Sequence, residues 1–411
     1  MRLPCVPFVA GVLCSVAACA GSDPSPAELP SAPPLPLTGT VTRVKTVDDL
    51  RLAARDARSN TTIVLEPGRY ALAEPLRIDG AQNAGVTDIA LRGATGARKD
   101  VIIEGAGIEI GNVQGVQIAD LTFRDLSGPA IHARGETGAT RVHVYNVRFE
   151  DVHAQAIRAT APADGRQGGV PNAIVEYCDF EYTNVTDDSD GWNAIAVYGG
   201  SNWIVKYNRF VNIRAGPNAR LRLRPAVVVR GGSRDTHTHN NLFIDCDRPI
   251  AYGIEARPDD RPDHSGGSIY NNFMYRRRGL RGDAGIMLWA SRDTKVYHNT
   301  IIQNGTYQRA IEYRFKTTTG LDIRNNLTDG AIAGRDGAHA TVAANYVRAT
   351  LAMFRDPRAG DLRLLSTAEQ AIDRGVPLPG WVVDWDGEKR PSGTRADIGA
   401  DEYRHLSSTR P

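Results

Sequence analysis

Lysine is scarce in this chain: only six of its 49 Lys+Arg residues are lysine, so arginine carries nearly all the positive charge. Cysteine is scarce too, with five in 411 residues, which excludes a disulfide scaffold. Neither sign of charge is in excess. Lys+Arg number 49 against 47 Asp+Glu, a formal net charge of +2, which excludes a nucleic-acid binder working by bulk charge and a polyacidic tail. Gly (41) and Pro (23) are only modestly enriched, so the chain is not low-complexity. What is abundant is core material, at 41% hydrophobic residues in a length that allows two or three ordinary domains.

The N-terminus carries an address. Arg2 precedes an apolar run from Val6 to Ala18, the size of a signal-peptide core and too short for a bilayer span. The run ends Val16-Ala17-Ala18-Cys19. Small residues before a cysteine resemble the lipobox of bacterial lipoproteins, which implies cleavage, lipidation of Cys19 and export to the outer membrane. Residues 1–19 are therefore expected to be a lipoprotein signal, and the Pro/Ser/Gly-rich residues 20–40 a flexible tether. Attachment to the membrane is expected through the lipid alone.

Self-similarity organises the rest. Short strand-like segments recur with apolar landmarks at Phe123, Phe149, Phe180, Phe210, Phe243, Met274, Ile301, Leu327 and Val347, spaced 26, 31, 30, 33, 31, 27, 26 and 20 residues apart. A second series follows each (AIHARG, AIRATA, AIAVYGG, AVVVRGG, IAYGIEA, AGIMLWA, AIEYRF, AIAGRDG). Both alternate apolar and polar with the period of a half-buried strand. A propeller blade needs about 40–50 residues and a TIM barrel needs helices between strands, so stacked rungs of parallel strands fit best.

Asn208, Asn241, Asn272, Asn299, Asn325 and Asn345 recur at one place in six consecutive repeats, positions where stacked amides hydrogen-bond along an axis. This run resembles the asparagine ladder of right-handed parallel β-helices, a family that includes pectate lyases and chondroitinase-B-like lyases. The expected fold is all-β: a right-handed parallel β-helix over residues 41–350. A capping helix near Asp48 and Asp49 buries Leu50, Ala53, Ala54 and Ala57, and residues 351–411 pack on the last coils. Cys178 and Cys246 fall two rungs apart, about 9.5 Å, beyond disulfide reach, and are expected free.

Alternation in the second series sends one row outward: Arg134, Thr160, Tyr198, Arg230, Glu255, Trp289, Arg314 and Arg335. A neighbouring row holds His132, Arg158, Ala196, Val228, Gly253, Met287, Glu312 and Ala333. Tyr198 and Trp289 offer flat faces for sugar rings, with Arg158 and His132 beside them as further substrate contacts. Arg230 and Arg314 suit carboxylates, and Glu255 and Glu312 suit general acid/base work. The family resemblance implies lyases that abstract the proton α to a uronate carboxylate, with arginine or lysine as base and often Ca²⁺ on the carboxylate. On that basis Arg230, Arg314, Glu255 and Glu312 are the candidate catalytic residues. Asp187, Asp188 and Asp190 in one loop are candidate Ca²⁺ ligands. His264, in the long insertion 257–267, is a candidate proton shuttle.

The expected function is an exported polysaccharide lyase, a monomer acting on an acidic glycan and not on nucleic acid. Two alternatives stand beside it: a non-catalytic glycan-binding surface protein, and a glycoside hydrolase working through Glu255 and Glu312. The paired-carboxylate pattern of polygalacturonases and the Trp-Ile-Asp-His run of pectate lyases are absent.

Overall fold

Three long parallel sheets of 12, 10 and 10 strands run side by side through the chain in a computed structural model. It describes residues 29–80, 85–162, 168–220 and 223–404. The expected signal sequence and Cys19 lie outside the described residues. Each rung contributes one strand to each sheet in turn, for example Ile204–Lys206, Arg209–Val211 and Pro225–Arg230. Successive rungs then stack in register, as Ile195↔Val227 and Phe180↔Phe210 do. The chain is a right-handed parallel β-helix.

The interior is apolar because alternate residues of the strands turn inward, and those positions are apolar. Phe123, Phe149, Phe180, Phe210 and Phe243 form a continuous internal stack, with ring centroids 5.5, 4.6, 4.8 and 4.6 Å apart. These separations follow the rung spacing of about 4.8 Å, and each stacked pair adds about 0.5–1.5 kcal/mol beyond area burial. At the N-terminal end the helix Val47–Arg55 closes the coil with buried Leu50 and Ala54, and Thr46 Oγ1 caps it by accepting the Asp49 N–H at 3.1 Å.

The corner between the 12-stranded sheet and the Phe-bearing sheet is built from two residues in eight successive rungs, from Asp120-Leu121 to Asn325-Asn326. The first residue of each pair is left-handed, with φ between +49° and +58°. The second points inward, and there the asparagine ladder forms. Asn208, Asn241, Asn272, Asn299 and Asn326 each donate Nδ2–H to the Oδ1 of the next member at 2.9–3.0 Å, and the series ends at Asn345. The fifth member is therefore Asn326, not Asn325. Asn325 takes the left-handed position just before it (φ +55°) and accepts the Val376 N–H at 3.0 Å. The ladder amides themselves are not the left-handed residues, which are as varied as Tyr177, Tyr207 and His298.

Cys178 occupies the ladder corner one rung before Asn208, and its N–H donates to Asn208 Oδ1 at 2.9 Å. Cys246 instead follows the second strand of its rung, Leu242–Ile244. Both are buried and free.

Two segments depart from expectation. Residues 29–40, the described part of the expected tether, do not hang free: Arg92 Nη1 donates to Leu35 O at 2.9 Å, Thr62 Oγ1 donates to Thr38 O at 2.6 Å, and Thr40 begins the first strand. The C-terminal segment does more than meet the last coils. Met353, Phe354, Leu362, Leu364, Trp385 and Ile398 pack on the outer face of the Phe-bearing sheet, against residues from Val211 to Leu327. The final rung is left uncovered, and Val342, in register with buried Ile323, is 41% exposed.

Candidate functional site

The second 10-stranded sheet carries the outward rows, and its register fixes their membership. The outer row reads Arg134, Thr160, Tyr198, Arg230, Gly253, Trp289, Arg314, Arg335. Gly253, not Glu255, fills the fifth place, since Tyr252 pairs with Val229 and Leu288. Its φ is +71°, and a Cβ there would lie 2.0 Å from Trp289 O, so the strand ends at a residue only glycine can be. Glu255 sits on the loop beyond, and Ala251 takes the place expected for Gly253 in the neighbouring row.

That neighbouring row is not an open surface at its centre. Ala196, Val228, Ala251 and Met287 are buried outside the coil together with Ala284, and with Ile254 and Tyr307 packed against them. Overhanging loops narrow the accessible strip to the outer row and the turn that follows it.

Toward the N-terminal half of this strip lies a cleft of about 650 Å³, walled by Arg158, Thr160, Tyr198, Glu255, Arg257 and Asp263. The Arg230 guanidinium lies 4.6 Å from the centre of the Tyr198 ring. Its Nη2 donates to Tyr198 Oη at 3.3 Å and its Nη1 to Glu255 Oε1 at 3.0 Å. Glu255 is 64% exposed, so this is a loose, screened ion pair. Asp263 ties down the base of the overhanging insertion by accepting the N–H groups of Gly231 (2.7 Å) and Ile254 (2.9 Å). Burial pushes its carboxyl above the usual range. Arg158 has no carboxylate partner among the described residues. His132 stands beside it in register, reaches Thr160 Oγ1 at 3.2 Å, and is held below its ordinary value first by burial and then by Arg158.

A second cluster lies farther along the axis. Arg314, Arg248 and Arg335 surround the Trp289 ring at 5.1, 5.7 and 5.7 Å. Arg314 also pairs with Asp336. Beneath them Glu312 is completely buried, accepting from Trp289 Nε1 (3.1 Å), Arg335 Nη2 (3.1 Å) and Tyr307 Oη (3.3 Å), with Arg309 at 3.5 Å.

These geometries revise several expected roles. Glu312 is a positioning residue for Trp289 and Arg335, since a carboxylate wrapped in donors and shut from solvent cannot serve as general acid or base. The hydrolase pair Glu255/Glu312 falls with it. Arg230 and Arg314 are three rungs apart, about 14 Å, and do not converge on one sugar. Arg230, hydrogen-bonded to Glu255 and Tyr198, presents a donor fork that suits anion binding rather than proton abstraction. His264 lies inside the coil against Tyr252 (4.3 Å), with both ring nitrogens unpartnered, and burial pulls it down to about 3. It is no proton shuttle. Arg257 and Asp263 were missed in sequence, although both belong to the insertion whose length marked it.

The calcium expectation finds little support in donor geometry. Asp187 and Asp188 are exposed, and Asp190 Oδ1 accepts the Arg220 N–H at 3.0 Å. The carboxylates that do converge, with ligand atoms within 4.8 Å, are Asp384, Asp386 and Asp401 in the C-terminal segment. They do not fit a cation. Asp384 accepts three backbone N–H groups, Arg363 grips Asp386 bidentately at 2.7 Å, and Asp401 accepts the Leu364 N–H.

No family model matches the chain, and no curated protein does either. Solved structures similar to it include the PL6 family alginate lyase AlyGC (14% identity, TM-score 0.41), with 75% of this chain aligned to 47% of that one. The chain thus spans about half the length of that lyase. PfbA, a surface adhesin of Streptococcus pneumoniae, is similar at 15% identity and TM-score 0.45, over 68% of this chain and 79% of that one. A pectate lyase from Bacillus sp. N165, solved with trigalacturonate, is similar at 13% identity and TM-score 0.38, over 58% and 70%. These likenesses concern the fold alone.

Proposed function

We propose that the protein binds an acidic polysaccharide along the outer row and cleaves it by β-elimination in the cleft at Tyr198. The observation that carries this reading is the Arg230 guanidinium stacked on Tyr198 and hydrogen-bonded to its hydroxyl, with Arg158 and Arg257 on the cleft walls. β-Elimination needs a cation on the uronate carboxylate, a base for the α proton and an acid for the departing oxygen. Arg158 and Arg257 supply the cation. Tyr198 supplies the proton-transfer group, its hydroxyl oxygen held at 3.3 Å by the Arg230 Nη2–H. Arg230 thereby becomes a positioning residue as well as an anion binder. The apolar run before Cys19 supports an exported, lipid-anchored protein.

A second reading, binding without cleavage, is favoured by one feature: among the described residues, the only carboxylate open to solvent in the cleft, Glu255, is already paired with Arg230.

The test incubates the protein with a panel of uronate-containing polysaccharides, following ultraviolet absorbance of unsaturated products and retention on glycan gels. Tyr198→Phe removes absorbance but keeps retention if elimination is right. Retention without absorbance in the native chain establishes the binding reading instead. Loss of neither function in Arg230→Ala moves the site elsewhere.

A further inference from the structure

The outer face of the 12-stranded sheet holds an extended piece of the chain itself. Pro30, Pro33, Pro34 and Pro36 dominate residues 29–38, and Leu29, Ala32 and Leu35 are the partly covered ones, every third residue. That is the period of a polyproline-II helix, which has three residues per turn, about 9.3 Å, and no internal hydrogen bonds. Its carbonyls therefore need donors from elsewhere.

The sheet provides them at the matching interval. Arg92 and Tyr145 stand in one outward row, each in register with Ala119, and so lie two rungs apart, about 9.6 Å. Tyr145 Oη donates to Pro33 O, and Arg92 Nη1 donates to Leu35 O (2.9 Å) and Pro36 O (3.3 Å). Pro33 and Pro36 are one polyproline turn apart. Two rungs of solenoid thus measure one turn of the ligand, and Thr62 Oγ1 adds a bond to Thr38 O at 2.6 Å, two residues farther on, where the polyproline period ends. Arg92 is fixed by Asp120 at 2.7 Å, and Tyr145 leans edge-on against Tyr177, centroids 5.3 Å apart, so both donors are preset.

We propose that this face is a polyproline-II reader: a docking surface for an extended Pro-rich chain, filled here by residues 29–38 and open to exchange for a Pro-rich segment of a partner protein. The recognised chemistry is a run of free carbonyls at every third residue, with small or apolar side chains turned to the sheet and prolines holding the backbone extended. The occupant in cis has an effective concentration of order millimolar, so a partner must be multivalent or abundant to displace it.

The test uses the full chain. A strap-open variant carries Pro33→Gly, Leu35→Ser and Pro36→Gly. A fluorescent peptide spanning residues 29–40 is expected to bind it in an anisotropy titration. The native chain, whose site is occupied, binds the same peptide at least ten times more weakly. Adding Tyr145→Phe to the strap-open chain weakens binding about fivefold, the worth of one hydrogen bond. A second peptide of unrelated sequence that keeps the prolines and the every-third apolar pattern also binds. A strap-open chain that melts like the native protein yet ignores both peptides overturns the proposal. Binding of the native peptide alone overturns the partner, leaving a private strap. Equal binding of a peptide with its prolines replaced by glycine overturns the polyproline reading.

Discussion

Trp289 donates its indole N–H to Glu312 at 3.1 Å, joining an aromatic on the outward row to a carboxylate that no solvent reaches. The pair explains why a row of arginines holds its shape. Glu312 is the common acceptor, and removing it takes a partner from Arg335, Arg309 and the indole together. Glu312→Ala is expected to lower stability by about 1–3 kcal/mol in chemical denaturation, because the indole N–H loses its acceptor while Arg335 and Arg309, about a third exposed, can turn to solvent. Glu312→Gln, which keeps an acceptor, costs less.

Trp289 lies three rungs from Tyr198, about 14 Å along the axis. Trp289→Ala should therefore weaken retention of long glycan chains while leaving short oligosaccharides nearly unaffected. Tyr198→Phe is expected to leave retention of both unchanged. A Trp289 effect independent of chain length would mean that one ligand does not span both clusters.

The ladder makes a graded prediction. Asn272 donates to Thr238 O, Tyr270 O and Asn299 Oδ1, and accepts from Asn241. Asn272→Ala should cost about 2–4 kcal/mol in urea unfolding, at about 1 kcal/mol per bond. Asn345, at the open end, should cost visibly less.

His264 gives the pH dependence. Its folded value, about 3, lies below the ordinary imidazole range because burial penalises the charged ring. The unfolded chain therefore binds the proton more readily, so stability holds above about pH 6.5 and falls as pH drops toward 3. His264→Phe keeps the stack on Tyr252 and removes two unpartnered nitrogens. It should raise the melting temperature at pH 7 and raise it further at pH 5. Equal melting curves for the two proteins at pH 5 would show that His264 has a partner.

The solenoid was legible because its period is enforced by geometry: each strand must present apolar residues inward once per rung. Finer placement failed where two neighbouring residues carry the same letter. Asn325-Asn326 offers two ladder candidates, and only the left-handed backbone at the first decides between them. Glu255 was misplaced by two residues because its segment resembles the other repeats while the strand ends early, at Gly253. The burial of Glu312 was invisible in sequence. Its strand position points outward, and the loops carrying Ala284 and Tyr307 cover it by a path that no local pattern records. The docked strap was misread for the opposite reason: proline-rich composition signals extension, but not whether a surface awaits it.

The two-residue corner has a practical reading. Repeat length varies from 26 to 33 residues between Phe123 and Leu327, yet none of that variation enters the corner between the 12-stranded and Phe-bearing sheets. Growth and loss of chain are confined to the other two turns, including the insertion above the Tyr198 cleft. The corner acts as the fixed pitch of a screw while the remaining turns are interchangeable fittings. New loops can be grafted beside the cleft to alter what it admits, whereas a single residue added at the corner shifts one rung against all those that follow.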